Sequence, residues 1–349
     1  GFGSYGFPES HAQSFARLVY VSAWLKCHHP ALFTAALLNS QPMGFYAPAQ
    51  LVRDAREHGV EVRAADVNHS DWDSTLERRG DGALALRLGL RQIGGFRQDW
   101  AGAIMTARAG GEAFADLEQC ARRAGLPSRA LRLLADADAC RSLGLDRRAA
   151  LWEARRTPPD ELPLFAAAAR TDPGARELGA EPAVTLRPMT AGEHVAADYQ
   201  IMRLSLKEHP MALLRPLFAD EEASPCATLR PMKGGDKVRV AGVVLVRQRP
   251  GKGNAIFITI EDEGGIANIV LWARQFERFR REVMAARLML VEGEIQKSRE
   301  GVIHVMARRI IDRSEMLTLL SNGMEGDPAP RQSRHPRNVR LLPRSRDFH

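Results

Sequence analysis

The chain has 349 residues, 45% of them hydrophobic, and a formal charge of +7, a size that allows two or three domains with cores of their own. No stretch approaches the ~18 apolar residues that cross a membrane as a helix. The four cysteines, Cys27, Cys120, Cys140 and Cys226, are scattered without a C-x-x-C pair, which disfavours a disulfide framework or zinc site and fits reduced thiols in a cytoplasmic protein. The basic balance comes far more from arginine than from lysine. It suits an acidic partner, although a codon bias toward arginine accounts for it equally well.

The first residues, Gly1-Phe-Gly-Ser-Tyr5-Gly-Phe-Pro-Glu-Ser10-His11, form a glycine-punctuated loop in which Ser10 is placed to cap a helix. Apolar residues then recur every three or four positions, and Pro30 interrupts them, so the spacing predicts helices over 12–27 and 31–39. Another amphipathic helix is expected to start after Pro48 and end at Gly59. Ala83 to Leu88 alternates as a short strand. Leu90-Arg-Gln-Ile93-Gly94-Gly95-Phe96-Arg97 before a helical run from Trp100 to Ala109 reads as a helix-hairpin-helix, whose core is apolar-x-Gly-apolar-Gly. Arg97 stands where the second glycine belongs. Glycines there let the N–H groups opening the second helix face a phosphate, although such hairpins also serve as pure packing units. A second such unit is expected from helices 129–135 and 147–155 around Cys140-Arg-Ser-Leu-Gly144-Leu-Asp-Arg147-Arg148.

From Thr157 to Met189 the many prolines and an alanine run read as a linker. Within it lies the apolar string Glu161-Leu162-Pro-Leu164-Phe165, and a helix over 211–218 follows it. Residues 237–246, 255–261, 266–272, 287–297 and 302–311 read as five strands, with a helix over 273–285 between the third and fourth. That is the order of an OB barrel. Gly242 is placed for a bulge or bend in the first strand. Such barrels take single strands across strands 2 and 3, between the 1–2 and 4–5 loops. Arg247, Arg249 and Lys252 are expected in the first of those loops and Lys297 and Arg299 at the second. Phe257 shares a strand face with Thr259 and Glu261, which favours exposure, while Trp272 closes its strand and fits either face. Beyond Met316 the chain turns polar, and six arginines from Arg331 to Arg346 predict a disordered, phosphate-binding tail.

Tyr5-Gly-Phe-Pro-Glu-Ser-His11, Ala23-Trp-Leu-Lys26, His29-Pro30, Leu145-Asp-Arg-Arg-Ala-Ala-Leu-Trp152 and Leu204-Ser-Leu-Lys207-Glu-His209-Pro210 resemble segments of C-family bacterial DNA polymerases. Pro8-Glu9 is most similar to the error-prone DnaE-type branch. The resemblance covers nearly the whole chain and implies the C-terminal third of a longer enzyme that serves translesion synthesis and damage-induced mutagenesis. It implies a multidomain α+β architecture: the end of a fingers domain (1–70), tandem hairpins (71–156), a linker with short helices (157–235), an OB domain (236–316) and a basic tail (317–349).

By the same resemblance, Tyr5, Ser10 and His11 lie near the incoming nucleotide. Gly94, Gly95, Arg97, Gly144, Arg147 and Arg148 serve the DNA-binding hairpins. The expected partners are primer–template duplex, single-stranded template, mutagenesis accessory proteins and a sliding clamp, with Leu162, Leu164 and Phe165 forming a clamp-like peptide. A hydrophobic latch on a neighbouring domain explains that peptide equally well. No acidic trio of a catalytic palm can be placed, so no catalytic residue, metal or cofactor is assigned to this chain. Mg²⁺ belongs to the palm expected elsewhere in the enzyme. Two other readings remain: a stand-alone DNA-binding repair accessory protein, and an aminoacyl-tRNA synthetase, the latter disfavoured because no nucleotide-activating motif is visible.

Overall fold

The computed structural model describes residues 9–42, 47–157, 186–250 and 253–322. The chain divides into two units, Gly1–Leu186 and Arg187–His349. The clamp-like string Leu162-Pro-Leu164-Phe165 lies outside the described residues, as does the expected tail from residue 323 on, whereas its first residues, Leu317–Asn322, form a helix because Leu317 and Leu320 are buried against the barrel.

The first unit begins with α1 (Glu9–His28), α2 (Pro30–Asn39) and α3 (Pro48–Glu57). Pro30 and Pro48 each open a helix, where a missing N–H costs nothing. Helix α1 already starts at Glu9, so Ser10 lies inside it and is not its cap. A small sheet follows, with β1 (Val62–Arg63) parallel to β3 (Leu84–Arg87), which pairs antiparallel with β2 (Thr75–Arg78). The expected boundary near residue 70 therefore falls within one sheet. Helices α4 (Gln98–Ala109), α5 (Leu117–Ala124), α6 (Ser128–Asp136) and α7 (Arg147–Arg156) complete the unit around Leu86, Ile93, Ile104, Leu117, Leu131 and Leu134, all essentially buried.

Buried Asp66 ties the two halves of the hairpin region together. Its carboxylate accepts from the Asn68 N–H (2.9 Å) and from Ser142 N–H (3.0 Å) in the second hairpin. Asn68 in turn exchanges two bonds with Phe114, donating to its carbonyl and accepting from its N–H. Burial pushes the Cys120 thiol up to about 12 and those of Cys140 and Cys226 higher still, so they act as apolar filling.

The second unit is built on a closed barrel of β4 (Lys237–Gln248), β5 (Ala255–Glu261), β6 (Ile266–Trp272), β7 (Leu288–Lys297) and β8 (Ile303–Asp312), in the order β4-β5-β6-β8-β7. This is the expected OB arrangement. The expected helix over 273–285 is broken at Phe279 into α10 (Ala273–Arg278) and α11 (Arg280–Ala285), the latter placing Val283 in the barrel core. The bulge in β4 falls between Val244 and Val246, not at Gly242. Gly242 meets a different need: a side chain there would press its Cβ within 2.7 Å of the Glu261 carbonyl.

The stretch expected to be a linker supplies part of this unit. Helices α8 (Ala191–Ile201) and α9 (Pro210–Asp220) and the last helix, α12 (Leu317–Asn322), bury Ala196, Met211, Leu214, Phe218, Leu317 and Leu320 against Ala241, Val243, Leu288 and Leu290 on the outer face of β4 and β7. Asp198 on α8 accepts from the Ser205 hydroxyl at 2.8 Å and from Lys207 at 3.1 Å, which gives the Leu-Ser-Leu-Lys string a structural role.

Residues 236–316 alone should therefore be a poor domain. A fragment spanning 187–322 should unfold in one cooperative transition, whereas 236–316, stripped of α8, α9 and α12, should melt well below it or aggregate. Equal melting temperatures for the two fragments would contradict the packing described.

Candidate nucleic-acid interface

Period-two alternation divides β5 and β6 into two faces. Ile256, Ile258, Ile260, Ala267, Ile269 and Leu271 point into the barrel core. The opposite face carries the cross-strand pairs Ala255–Trp272, Phe257–Val270 and Thr259–Asn268. Phe257 is 38% and Trp272 54% exposed, large values for aromatic side chains on a barrel wall. The outer walls of β4 and β7 are covered by helices, but these rings face outward on the β5–β6 wall. Their flat faces can stack on bases, and the polar Thr259–Asn268 pair, 3.4 Å apart, lies beside them.

The cations expected to flank this face divide into two groups. Arg249 is exposed and donates to the Gly253 carbonyl across the β4–β5 connection at 3.3 Å. At the other end, exposed Lys297 donates to the Arg230 carbonyl at 3.0 Å, and Arg299 is exposed on the β7–β8 turn. Arg247 departs from the expectation. The β4 strand runs on to Gln248, and its register sets Arg247 opposite inward-facing Ile258. Arg247 is consequently 3% exposed, and its guanidinium donates to the Val283 and Ala286 carbonyls at the end of α11. It is a strap holding the helix onto the barrel, not a loop cation. Lys252 lies outside the described residues.

In the hairpins, Gly95 (φ 82°) and Gly144 (φ 74°) occupy the left-handed region, which explains glycine at both turns. Gly94 and Gly95 are exposed, and Arg97 sits at the start of α4. Its guanidinium grips Asp99 through two bonds of 2.9 and 2.6 Å and lies 5.3 Å from the centre of the Trp100 ring. The same interaction holds the Asp99 carboxyl below the usual carboxylate range. A phosphate approaching this turn therefore meets a carboxylate already bonded to the Trp100 N–H. At the second hairpin Asp146 occupies the Ala149 N–H in the same manner. Arg147 is 2% exposed and turned inward onto the Asp136 carbonyl (3.0 Å), which removes it from the DNA-facing set, whereas Arg148 is part-exposed.

Tyr5 lies outside the described residues, and nothing is assigned to the Ser10 side chain. His11 is exposed with its ring 4.4 Å from that of Phe15. Among the described residues no cluster of three or more His, Cys, Asp or Glu side chains is arranged to hold a metal ion. The sequence reading missed Ile266 and Asn268, which extend the outward row of β6 beyond Val270 and Trp272. The alternation around Ile269 contained the signal.

Comparison with known proteins matches this architecture. Residues 59–150 fit the helix-hairpin-helix motif family and residues 238–312 the OB-fold nucleic acid binding domain. An error-prone DNA polymerase of Rhodopseudomonas palustris (strain HaA2) is 54% identical over an alignment covering 100% of this chain and 34% of that protein. One from Brucella abortus biovar 1 (strain 9-941) is 57% identical over 100% of the chain and 32% of its own length. One from Bradyrhizobium sp. (strain ORS 278) is 47% identical over 100% and 37%. The chain thus spans about a third of the length of these relatives. Along that third, it is similar to error-prone DNA polymerases over the whole of its length.

Proposed function

We propose that this chain is the C-terminal, DNA-gripping portion of an error-prone DNA-directed DNA polymerase, and that its barrel holds single-stranded template across β5 and β6. The observation that carries the reading is the pair of outward aromatics, Phe257 and Trp272, on the wall of the barrel opposite in role to the helix-covered β4–β7 wall. Exposed aromatic surface is costly in water, and a stacked base relieves that cost without regard to sequence. Arg249, Lys297 and Arg299 supply phosphate contacts at the two ends of the face. The hairpins contribute a weaker grip on duplex, because the acids Asp99 and Asp146 already occupy N–H groups at their helix starts. Polymerisation itself, with Mg²⁺ held by palm carboxylates, belongs on this reading to the part of the enzyme outside this chain, and translesion synthesis is the use the reading assigns to the whole enzyme.

Phe257→Ala and Trp272→Ala should each weaken binding of single-stranded DNA by about 1–3 kcal/mol, with little change in melting temperature because both rings are exposed. Arg249→Ala or Arg299→Ala should reduce the magnitude of the log–log salt slope by roughly 0.7 per lost contact. Arg247→Ala should instead lower the melting temperature and leave the slope unchanged. Fluorescence anisotropy across a salt series, paired with thermal melting, reads all of these. A Phe257→Ala protein that melts far lower while binding normally would make the barrel a structural module.

The chain alone should not extend a primer in the presence of Mg²⁺ and the four deoxynucleoside triphosphates. Templated extension above a no-protein control would overturn the placement of the catalytic carboxylates elsewhere.

A further inference from the structure

A groove of about 580 Å³ opens where β6 and β8 part, at the end of the barrel remote from Trp272. Its volume lies within the range of small-molecule sites. Strands β6 and β8 pair in parallel only at Ile269–Val305 and Val270–Met306. Ahead of that pairing the strands separate, and the turn Gly264-Gly265, the turn at Gly301 and the segment Cys226–Arg230 surround the gap. A Cβ at Gly264 would come within 3.2 Å of the Ala227 Cβ, and Gly301 holds φ +83°, so glycine suits both turns. Ile266 and Val302, 52% and 48% exposed, are the apolar walls of the groove at its mouth. Asn268 also lines it, with its amide beside Thr259 on the outward face.

Two features indicate what fits there. The first is continuity: Ile266 and Asn268 belong to the same outward row of β6 as Trp272, so the groove prolongs the aromatic face. Six residue steps of strand separate Ile266 from Trp272, about 20 Å at ~3.3 Å per residue. The second is charge. Arg230 lies on the rim, Lys297 is bonded to the Arg230 carbonyl, and Arg299 is exposed on the adjoining turn. Glu300 is the acid on that turn, while Asp262 and Glu263 below it are engaged by Arg215. A groove lined by the apolar side chains of Ile266 and Val302 and by the Asn268 amide, with cations at its rim, fits a heterocycle attached to a phosphate.

We propose that this groove receives one unstacked nucleobase of the single strand, with Ile266 and Val302 against its faces and Asn268 at its edge. The proposal rests on the reading of the β5–β6 face as a single-strand site, but it assigns a separate subsite with its own residues.

The test uses the whole chain and two oligomers of about 16 nucleotides, the upper footprint of one such barrel. One is oligothymidylate and the other has the same backbone with every base removed. With isoleucine and valine methyls labelled for NMR, the Ile266 and Val302 methyls should shift upfield with oligothymidylate and stay in place with the abasic oligomer. Ile266→Ala combined with Val302→Ala should weaken oligothymidylate binding roughly 5- to 150-fold, the size of one stacked base, and leave abasic binding unchanged. Both side chains are exposed, so an unaltered melting temperature confirms that the fold survives.

Equal methyl shifts with both oligomers would mean phosphate contact alone and overturn the base pocket. Unmoved methyls with a Phe257→Ala variant that still loses affinity would overturn the groove while leaving the face intact, and would direct the groove to a peptide partner. Loss of the methyl response together with normal binding by Phe257→Ala and Trp272→Ala would remove both readings.

Discussion

Asp262 has no exposed surface, yet its carboxylate holds the second unit together. It accepts from the Arg215 guanidinium on α9 at 2.8 Å, from the Cys226 N–H at 2.7 Å, and from the Gly264 and Gly265 N–H groups at 2.8 and 2.9 Å. A carboxylate enters a barrel interior only when charge and donors compensate its lost hydration. Here the compensation comes from separate segments, so satisfying one side chain fixes α9, the capping segment at Cys226 and the β5–β6 turn relative to one another. With α9 fixed, the outer wall of β4 and β7 is covered, and the outward rings of the β5–β6 wall stand as the face fitted to a ligand. The same carboxylate shapes the turn that lines the groove between β6 and β8.

The arginines show why net charge is a poor guide to a binding surface. The excess of +7 suggests many free cations, but Arg147 and Arg247 spend their donors on backbone carbonyls inside the fold. Arg63 and Arg87 converge on Glu77, and Arg313 grips Glu221. Local pairing at Asp99 and Asp146 likewise mutes the two hairpin turns. The barrel face combines aromatics with exposed cations at both ends, and it is the stronger candidate for nucleic acid for that reason.

Much of this was legible in the sequence. The alternation of β5 put Phe257 outside, opposite in face to the isoleucine core, and the ring is exposed although Glu261 on the same face is buried. Arg247 was misread because the strand was ended at Val246 whereas β4 runs on to Gln248, and a bulge two residues before Arg247 sets which face it presents without leaving a reliable mark in the pattern. Helices α5 and α8 were overlooked although each carries a start signal: Asp116 accepts from the Gln119 N–H, and Thr190 and Glu193 form a reciprocal capping box. Proline and alanine content masked α8, whose packing partners lie on α9 and, about 120 residues away, on α12. The groove was not legible at all, since it arises from where two strands part company and not from any local run of residues.

The central claim is that one wall of the barrel, and not the other, meets single-stranded DNA. Photocrosslinking of the chain to a bromodeoxyuridine-substituted single strand, followed by mass spectrometry of the adducts, tests it most directly. The account predicts adducts within 255–261 and 266–272, with Phe257 and Trp272 foremost. Adducts confined to the outer face of β4 and β7, or to the first unit alone, would contradict it.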